Sequence, residues 1–187
     1  DYRPGVVIGS NLPEMWANGA YVAKKVTAHL LEILIELHNI SPNEIGLSEL
    51  GRPEGFLERT ANGWFKRAQI MWPAELPKTV HYIMSWLEDN KVAEQAPVLL
   101  HNDFKLDNII FNPKNWIPVD LIDWDIGTRG DPLWDLDVLL SYWAEPDDPK
   151  PMLQLGQMPT ASIGFPRRQD IIDIYASKSG RDVANIK

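Results

Sequence analysis

The chain has 187 residues, enough for one domain with a hydrophobic core, and its 44% hydrophobic and 24% charged residues are typical of a soluble globular protein. A net charge of -8 argues against binding nucleic acid through a broad basic face, because phosphates are neutralised by clustered Lys and Arg. The absence of cysteine excludes disulfides, cysteine-ligated zinc and thiol catalysis. Apolar runs are shorter than a membrane span, so we expect a cytoplasmic protein that contacts neither membrane nor nucleic acid.

The first half of the chain is predicted to be helical after an extended segment over residues 1–12. Apolar residues recur at spacings of three and four from Pro13 to about Leu37, which predicts a first helix. A second helix is predicted from Pro53 to about Gln69 and a third from Pro77 to about Asp89. The third helix is expected to turn four side chains inward: Val80, Ile83, Met84 and Leu87.

A change of period predicts a small β region in the middle of the chain. The segments 97–100, 108–111 and 118–122 are short, apolar or β-branched, and bounded by turn residues. The sequence NPKNW between the last two fits a hairpin loop.

Helices are predicted again in the last third of the chain. A strongly apolar helix runs from Pro132 to about Trp143, and residues 145–151 form an acidic, proline-rich loop. A last helix is expected from Arg167 to Ser177, with Gly180 near its end. The fold class is therefore α+β, mainly α-helical, with a small β-hairpin insert.

The β region carries a polar constellation between two apolar strands. His101, Asp103 and Asn108 form the pattern H-x-D-x-x-x-x-N, and Asp123 follows the strand at 118–122. Phosphoryl transfer needs a group near the attacking hydroxyl and oxygen ligands for the metal that bridges the phosphates. Asp103, Asn108 and Asp123 can supply a base and two Mg²⁺ ligands from one place. Lys105 can direct its ammonium group toward a γ-phosphate.

The apolar segments around this loop predict how it is held. We expect them to be strands of a hairpin that keep the polar loop rigid, as a preorganised site requires.

Two segments of the sequence resemble a known family. LLHNDFKLDNIIF (99–111) and LIDWDIGTRGDPLWDLDVLL (121–140) are similar to the catalytic pair of the aminoglycoside phosphotransferase-like branch of the protein-kinase-like fold. LHNISPNEIGLSELGRPEGFLER (37–59) resembles the sub-branch associated with acyl-CoA dehydrogenases. The resemblance covers nearly the whole chain. It implies an ATP-dependent phosphotransferase acting on a small-molecule hydroxyl, with Mg²⁺ as cofactor.

The resemblance also implies roles for the residues of the loop. Asp103 would be the catalytic base, and Asn108 and Asp123 would be the Mg²⁺ ligands at the nucleotide. Lys105 would contact the transferred phosphate, and His101 would brace the loop.

Three further aspartates would support the site. Asp135 would match the buried helix residue that pins the backbone of the catalytic loop. Asp125 would contact the metal indirectly, through one of the groups bound to it. Asp131 would contribute no more than a cap for the helix at Pro132.

The chain departs from the family at its N-terminal side. It contains no G-x-G-x-x-G loop and no V-A-I-K-like strand, and residue 1 falls where the family has its hinge between lobes. The whole chain, residues 1–187, is therefore expected to be a single domain, the C-terminal lobe, without the N-terminal ATP-binding lobe. We expect the parent protein to be a kinase and this chain alone to have weak or no activity.

Two other functions stay open at this point. A non-catalytic lobe would bind a ligand or a partner, either the missing lobe or a second copy, through the exposed inter-lobe face. A metal-dependent phosphohydrolase would use the aspartates to activate water at two close metals. The acidic loop, with Asp147 and Asp148, is open to a role in binding the acceptor.

Overall fold

The structure, a computed structural model, describes residues 2–16 and 18–186. Its elements in chain order are α1 (Gly19–Asn39), α2 (Phe56–Met71), α3 (Lys78–Asp89), β1 (Val98–Leu100), a 3₁₀ turn (Leu106–Asn108), β2 (Ile109–Phe111), β3 (Pro118–Leu121), β4 (Thr128–Gly130), α4 (Pro132–Tyr142), α5 (Lys150–Leu155) and α6 (Arg168–Ser179). The predicted order of helices, a small β region and helices is confirmed. Residue 1, the expected hinge position, lies outside the described residues.

Helix α1 begins at Gly19, six residues later than predicted. Residues 13–16 form a turn instead, in which the Trp16 N–H donates to the Pro13 carbonyl at 2.9 Å. Asn18 caps the helix by accepting from the Tyr21 N–H at 3.4 Å. Ala17, within the predicted helix, lies outside the described residues. The apolar stripe of α1 is buried as predicted, with Val22, Val26, Leu30, Leu34 and Leu37 in the interior.

The main core lies between α1, α4, α6 and the loop region of the short strands. Its largest fully buried side chains include Trp143, Tyr175, Phe104 and Phe111. Phe104 belongs to the polar loop itself, so the loop is anchored in the core by an aromatic ring between its charged residues. Within the described residues, none of the helices is both long and apolar enough to cross a membrane.

The strands form two separate antiparallel pairs. Strand β2 pairs with β3, which confirms the predicted hairpin over NPKNW. Strand β1 pairs with β4, with Leu99 opposite Arg129. The expectation that the segments on either side of the polar loop form one hairpin is therefore wrong. The loop instead connects two ladders.

Strand β4 and helix α5 were not expected from the sequence. The three residues of β4, Thr128–Gly130, are polar and become a strand only because β1 supplies hydrogen-bonding partners. Gly130 is required there, because a Cβ would lie 2.7 Å from the Phe56 ring. The six residues of α5 are too few to show a helical period in the sequence. Because α5 begins at Lys150, the acidic loop predicted for residues 145–151 ends at Pro149.

Helices α2 and α3 pack on each other and leave much apolar surface exposed. The predicted inward face of α3 is wrong at Ile83 and Leu87, which are exposed, whereas Val80 and Met84 are partly buried. The helical period predicted the position of α3 correctly. The burial of its side chains was predicted wrongly, because the helix packs on α2 and much of the rest of its surface is exposed.

Shortening a buried side chain of α1 will test the proposed core. Leu34→Ala removes a fully buried side chain, and we expect it to lower the free energy of unfolding by about 3 kcal/mol. Urea denaturation followed by circular dichroism measures the change. Leu155→Ala, at an exposed position of α5, is the control and should change stability by less than about 0.5 kcal/mol. Equal effects of the two substitutions would contradict this core.

Candidate active site

The polar loop after β1 is held by the carboxylate of Asp135 in α4. One oxygen accepts from the His101 N–H at 2.7 Å and the other from the Asn102 N–H at 2.7 Å. Asp135 and His101 are fully buried. A buried carboxylate that accepts two backbone hydrogen bonds fixes where the loop begins.

The side chain of Asn102 ties the same turn to two other elements. Its amide oxygen accepts from the Trp134 ring N–H at 2.6 Å, and its amide nitrogen donates to the Ile126 carbonyl at 3.1 Å. Its φ of 72° lies in the left-handed region, which asparagine tolerates better than most residues. Sequence reasoning missed Asn102. The signal available for it was an asparagine inside a tight polar turn.

The ring of His101 connects the loop to the segment after β3. Its Nε2 lies 2.8 Å from the Ile122 carbonyl, and its Nδ1 accepts from the Asp103 N–H at 3.3 Å. These contacts fit the tautomer with the proton on Nε2. The Trp124 ring lies over it, with centroids 4.8 Å apart. His101 therefore contacts both the loop and the segment that carries Asp123.

Asp103, Lys105 and Asn108 meet at one carboxylate. Oδ2 of Asp103 accepts from the Asn108 amide at 3.1 Å and lies 3.1 Å from the Lys105 ammonium. The Asn108 amide also donates to the Asp103 backbone carbonyl at 2.7 Å. Oδ1 accepts from the hydroxyl of Tyr142 at 3.2 Å. Tyr142 lies 39 residues away at the end of α4, and sequence reasoning missed it.

Lys105 lies between two carboxylates. Its Nζ is 3.7 Å from Asp107, which sequence reasoning had left outside the site. Burial alone would lower the pKa of Lys105, but the hydrogen bond to Asp103 and the charges of Asp107 and Asp103 outweigh it, so the pKa is raised. Burial raises the pKa of Asp107, opposed by the charge of Lys105. Lys105 is thus a protonated cation at neutral pH.

Asp123 is placed by its neighbour Ile122. The Ile122 N–H donates to the Asn108 carbonyl at 2.9 Å, while its carbonyl accepts from His101. Asp123 comes next in the chain, has a φ of 67° and is exposed. Its carboxylate makes no hydrogen bond within the described part of the chain. The segment after β3 is therefore fixed beside Asn108, and an exposed carboxylate follows it.

The oxygens of Asn108 and Asp123 fit a hard cation. The amide nitrogen of Asn108 is engaged by Asp103, so the amide oxygen is the atom of this side chain that could hold a metal. One amide oxygen and one carboxylate, completed by water and phosphate oxygens, suit Mg²⁺. Within residues 2–16 and 18–186, no three His, Asp or Glu side chains group closely enough to bind a metal by themselves.

The two other supporting aspartates differ in their surroundings. Asp131 is buried and caps α4, with one oxygen accepting from the Leu133 N–H at 2.8 Å and the other from the Gln95 N–H at 2.8 Å. Asp125 is exposed, two residues beyond Asp123. The structure thus brings Asp131 to the helix end and leaves Asp125 in contact with solvent.

A buried polar pair lies behind the loop. His38 of α1 points its Nε2 toward Asp135 at 3.5 Å, and its Nδ1 lies 2.7 Å from the Tyr175 hydroxyl of α6. Burial raises the pKa of Tyr175. His38 and Tyr175 therefore connect two further helices to the carboxylate that holds the loop.

Three carboxylates of the acidic loop pair with two arginines, the residue before α6 and its first residue. Glu145 and Asp147 pair with Arg167, and Asp148 pairs with Arg168. Hydrogen bonds from these guanidinium groups lower the pKa of Asp147 and Asp148. The carboxylates considered for acceptor binding are thus already engaged by cations of the same chain.

Both the sequence and the fold of the chain are similar to those of known proteins. The model of the "Phosphotransferase enzyme family" matches residues 1–170. Acyl-CoA dehydrogenase family member 11 of Rattus norvegicus is 32% identical over 154 residues, which are 82% of this chain and 20% of that protein. A candidate aminoglycoside phosphotransferase from Ralstonia eutropha superposes with a TM-score of 0.81 at 20% identity, over 98% of this chain and 55% of its own. The streptomycin-ATP-APH(2")-IIa ternary complex has a TM-score of 0.59 at 19% identity, over 96% and 56%.

These structural neighbours confirm the predicted fold class, a mainly helical α+β fold like that of the aminoglycoside phosphotransferases. The expected likeness to the acyl-CoA-dehydrogenase-associated branch is confirmed by the curated relatives. The chain spans about a fifth of the length of those relatives and about half of the length of the solved structures.

Removing the Asp135 carboxylate will test whether it holds the loop. Asp135→Ala leaves the N–H groups of His101 and Asn102 without their acceptor, and we expect it to lower the free energy of unfolding by about 3 kcal/mol. Urea denaturation measures this, and hydrogen exchange of the Asn102 amide should accelerate. Asp125→Ala, at an exposed aspartate, is the control, expected to stay within about 0.5 kcal/mol. An unchanged exchange rate at Asn102 would contradict the assignment.

The pairing of Asp148 with Arg168 predicts a pH dependence of stability. The folded-state pKa of Asp148 lies below its ordinary value of 3.8. The ion pair therefore stabilises the folded state at pH values above 3.8, and this stabilisation is lost as the pH falls through the lowered pKa. The difference in unfolding free energy between the protein and Asp148→Asn should therefore shrink between about pH 5 and pH 2. Asp125→Asn is the exposed control. A difference that stays constant over this range would contradict the ion pair.

Proposed function

The chain belongs to the phosphotransferase enzyme family, and we propose that it carries the catalytic loop of an enzyme that transfers the γ-phosphoryl group of ATP to a hydroxyl of a small molecule. The observation that carries this proposal is the carboxylate of Asp103. One of its oxygens is held by Asn108 and Lys105, and the other already accepts a hydroxyl hydrogen bond from Tyr142. A hydroxyl donor therefore has a place at this oxygen.

In the proposed reaction, Asp103 orients the acceptor hydroxyl and takes its proton on Oδ1. The acceptor oxygen forms a bond to the γ-phosphorus, and the bond from that phosphorus to the oxygen bridging it to ADP breaks. ADP leaves with the bridging oxygen. Lys105, which its raised pKa keeps protonated, would offset the charge on the moving phosphoryl group.

Asn108 and Asp123 would hold Mg²⁺ through the amide oxygen and the carboxylate described above. When bound, the ion supplies positive charge to the phosphate oxygens of the nucleotide. ATP as the phosphate donor is supported by the structural neighbour solved as a ternary complex with streptomycin and ATP. The base, the metal ligands and the cation would then all come from residues 103–123.

We propose that the acidic loop contributes little to the binding of a polycationic acceptor. An aminoglycoside carries several ammonium groups, and carboxylates in excess of local cations would attract them. Here Glu145, Asp147 and Asp148 already share Arg167 and Arg168, at contacts such as the 2.8 Å between Arg167 and Glu145. Much of the attraction of the loop for ammonium groups is therefore already used within the chain.

We also propose that the other face of the nucleotide is covered by a segment outside these 187 residues. The structural neighbours have about twice the matched length. Several apolar side chains near the N-terminal segment and β3 are exposed, among them Val7, Ile117 and Val119. Because positioning supplies much of the rate of phosphoryl transfer, this chain alone is expected to be weak or inactive.

Binding of nucleotide is the first test, by calorimetric titration of Mg-ATP into the chain. We expect one site, weakened about tenfold or more by Asp123→Ala because a metal ligand is lost. Asp89→Ala, at an exposed aspartate of α3, should bind as the unsubstituted chain does. Equal affinity of the Asp123→Ala variant would contradict the proposed ligand set.

Weak binding will be detected with Mn-ATP, whose paramagnetic ion broadens nearby NMR signals. The amides of Asn108 and Asp123 should broaden first, and those of α6 should not. Release of phosphate from a phosphomonoester such as p-nitrophenyl phosphate without nucleotide would instead favour a phosphohydrolase.

A further inference from the structure

Tyr142 contacts two charged side chains of the loop, Asp103 and Lys105, and has no step of its own in the proposed reaction. It is the last residue of α4. Its hydroxyl donates to Oδ1 of Asp103 at 3.2 Å, and its ring centroid lies 5.1 Å from the Lys105 ammonium. A cation at this distance from an aromatic face is attracted by the ring quadrupole.

We propose that Tyr142 is a positioning residue that holds Asp103 and Lys105 in their working arrangement. The catalytic consequence depends on the proposed function. The arrangement of Tyr142, Asp103 and Lys105 does not depend on that function, because it consists of contacts within this chain.

The Asp103 carboxylate is shared by three donors. Asn108 and Lys105 both act on Oδ2. Among the described residues, Tyr142 is the donor to Oδ1. Without that hydrogen bond the carboxylate would be free to rotate toward the cation. The phenol therefore fixes the orientation of the carboxylate, with Oδ2 toward Asn108 and Lys105 and Oδ1 toward Tyr142.

The spacing along α4 places Tyr142 above the residue that holds the loop backbone. Asp135 and Tyr142 are seven residues apart, two helical turns, and so lie on the same face. Asp135 holds the backbone of the loop, and Tyr142 holds its side chains. Helix α4 thus positions both the backbone and the side chains of the loop.

Tyr142 also borders a cavity. A cavity of about 90 Å³ lies between α4 and α5, and Tyr142 lines it together with Met152, Leu155 and Gln157. Tyr142 thus contacts the Asp103 carboxylate through its hydroxyl and is also a lining residue of this cavity.

The titration of the Tyr142 phenol tests the arrangement without any need for activity. Burial and the negative charge of Asp103 raise the pKa of Tyr142, the charge of Lys105 lowers it, and Asp107 adds to the rise. In protein labelled with ¹³Cζ-tyrosine, Asp103→Asn should lower the pKa of Tyr142, and Lys105→Met should raise it. The Tyr142→Phe variant assigns the signal. Tyr82, exposed on α3, is the control and should not respond.

An unchanged Tyr142 titration in both variants would overturn the proposal, because the two charges would then lie too far from the phenol to matter. This outcome leaves the proposed function untouched. Chemical shifts of the core methyl groups verify that each variant is folded.

The catalytic consequence is measured as ADP release from Mg-ATP with water as the acceptor. Tyr142→Phe keeps the ring and removes the hydroxyl, and we expect kcat to fall about tenfold, the scale of one hydrogen bond to a charged group, with KM for ATP unchanged. Tyr142→Leu also removes the ring and should lower kcat further. Tyr82→Phe should retain full activity. Unchanged kcat in Tyr142→Phe would overturn the positioning role.

Absence of ADP release from the unsubstituted chain is the inactivity expected of this chain without a segment that covers the nucleotide. The phenol titration then decides on Tyr142 by itself, so the two failures are distinguishable.

Discussion

The buried carboxylate of Asp135 is the interaction on which the rest of the site depends. It accepts the N–H groups of His101 and Asn102 at 2.7 Å each, and so fixes the backbone where β1 ends. Only with this backbone fixed can the His101 ring reach the Ile122 carbonyl. Ile122 in turn is bonded to Asn108, and Asp123 follows it. A continuous series of hydrogen bonds therefore runs from the core of α4 to the exposed carboxylate proposed as a metal ligand.

Burying this charge has a cost that its surroundings offset. An isolated carboxylate in an apolar interior is strongly unfavourable, whereas two backbone donors compensate for much of its lost hydration. His38 adds a polar ring at 3.5 Å, itself bonded to Tyr175. Helices α1, α4 and α6 thus converge on a single group. The loop is therefore held by side chains of three packed helices as well as by the two-stranded ladders on either side.

The local part of this arrangement could be predicted from the sequence, and the long-range part could not. Spacing along the chain identified Asp103, Asn108 and Asp123 as candidates, and the helical period located α1 and α4. Tyr142 contacts Asp103 although 39 residues separate them in the chain. From the sequence, a tyrosine at the end of an apolar helix would be predicted to belong to the hydrophobic core. The pairing of β1 with β4 instead of β2 likewise depends on a tertiary contact, because the three polar residues of β4 carry little strand signal.

The position of Lys105 shows how the site would respond to a phosphate under the proposed function. The ammonium now lies between Asp103 at 3.1 Å and Asp107 at 3.7 Å. A phosphoryl group carries more negative charge than one carboxylate, so it would compete for the cation and draw it from Asp103. Asp107 and the Tyr142 ring would keep the ammonium nearby during this exchange. Asp103 would then lose a cation at the moment when it must accept a proton, and a carboxylate without its cation is the stronger base.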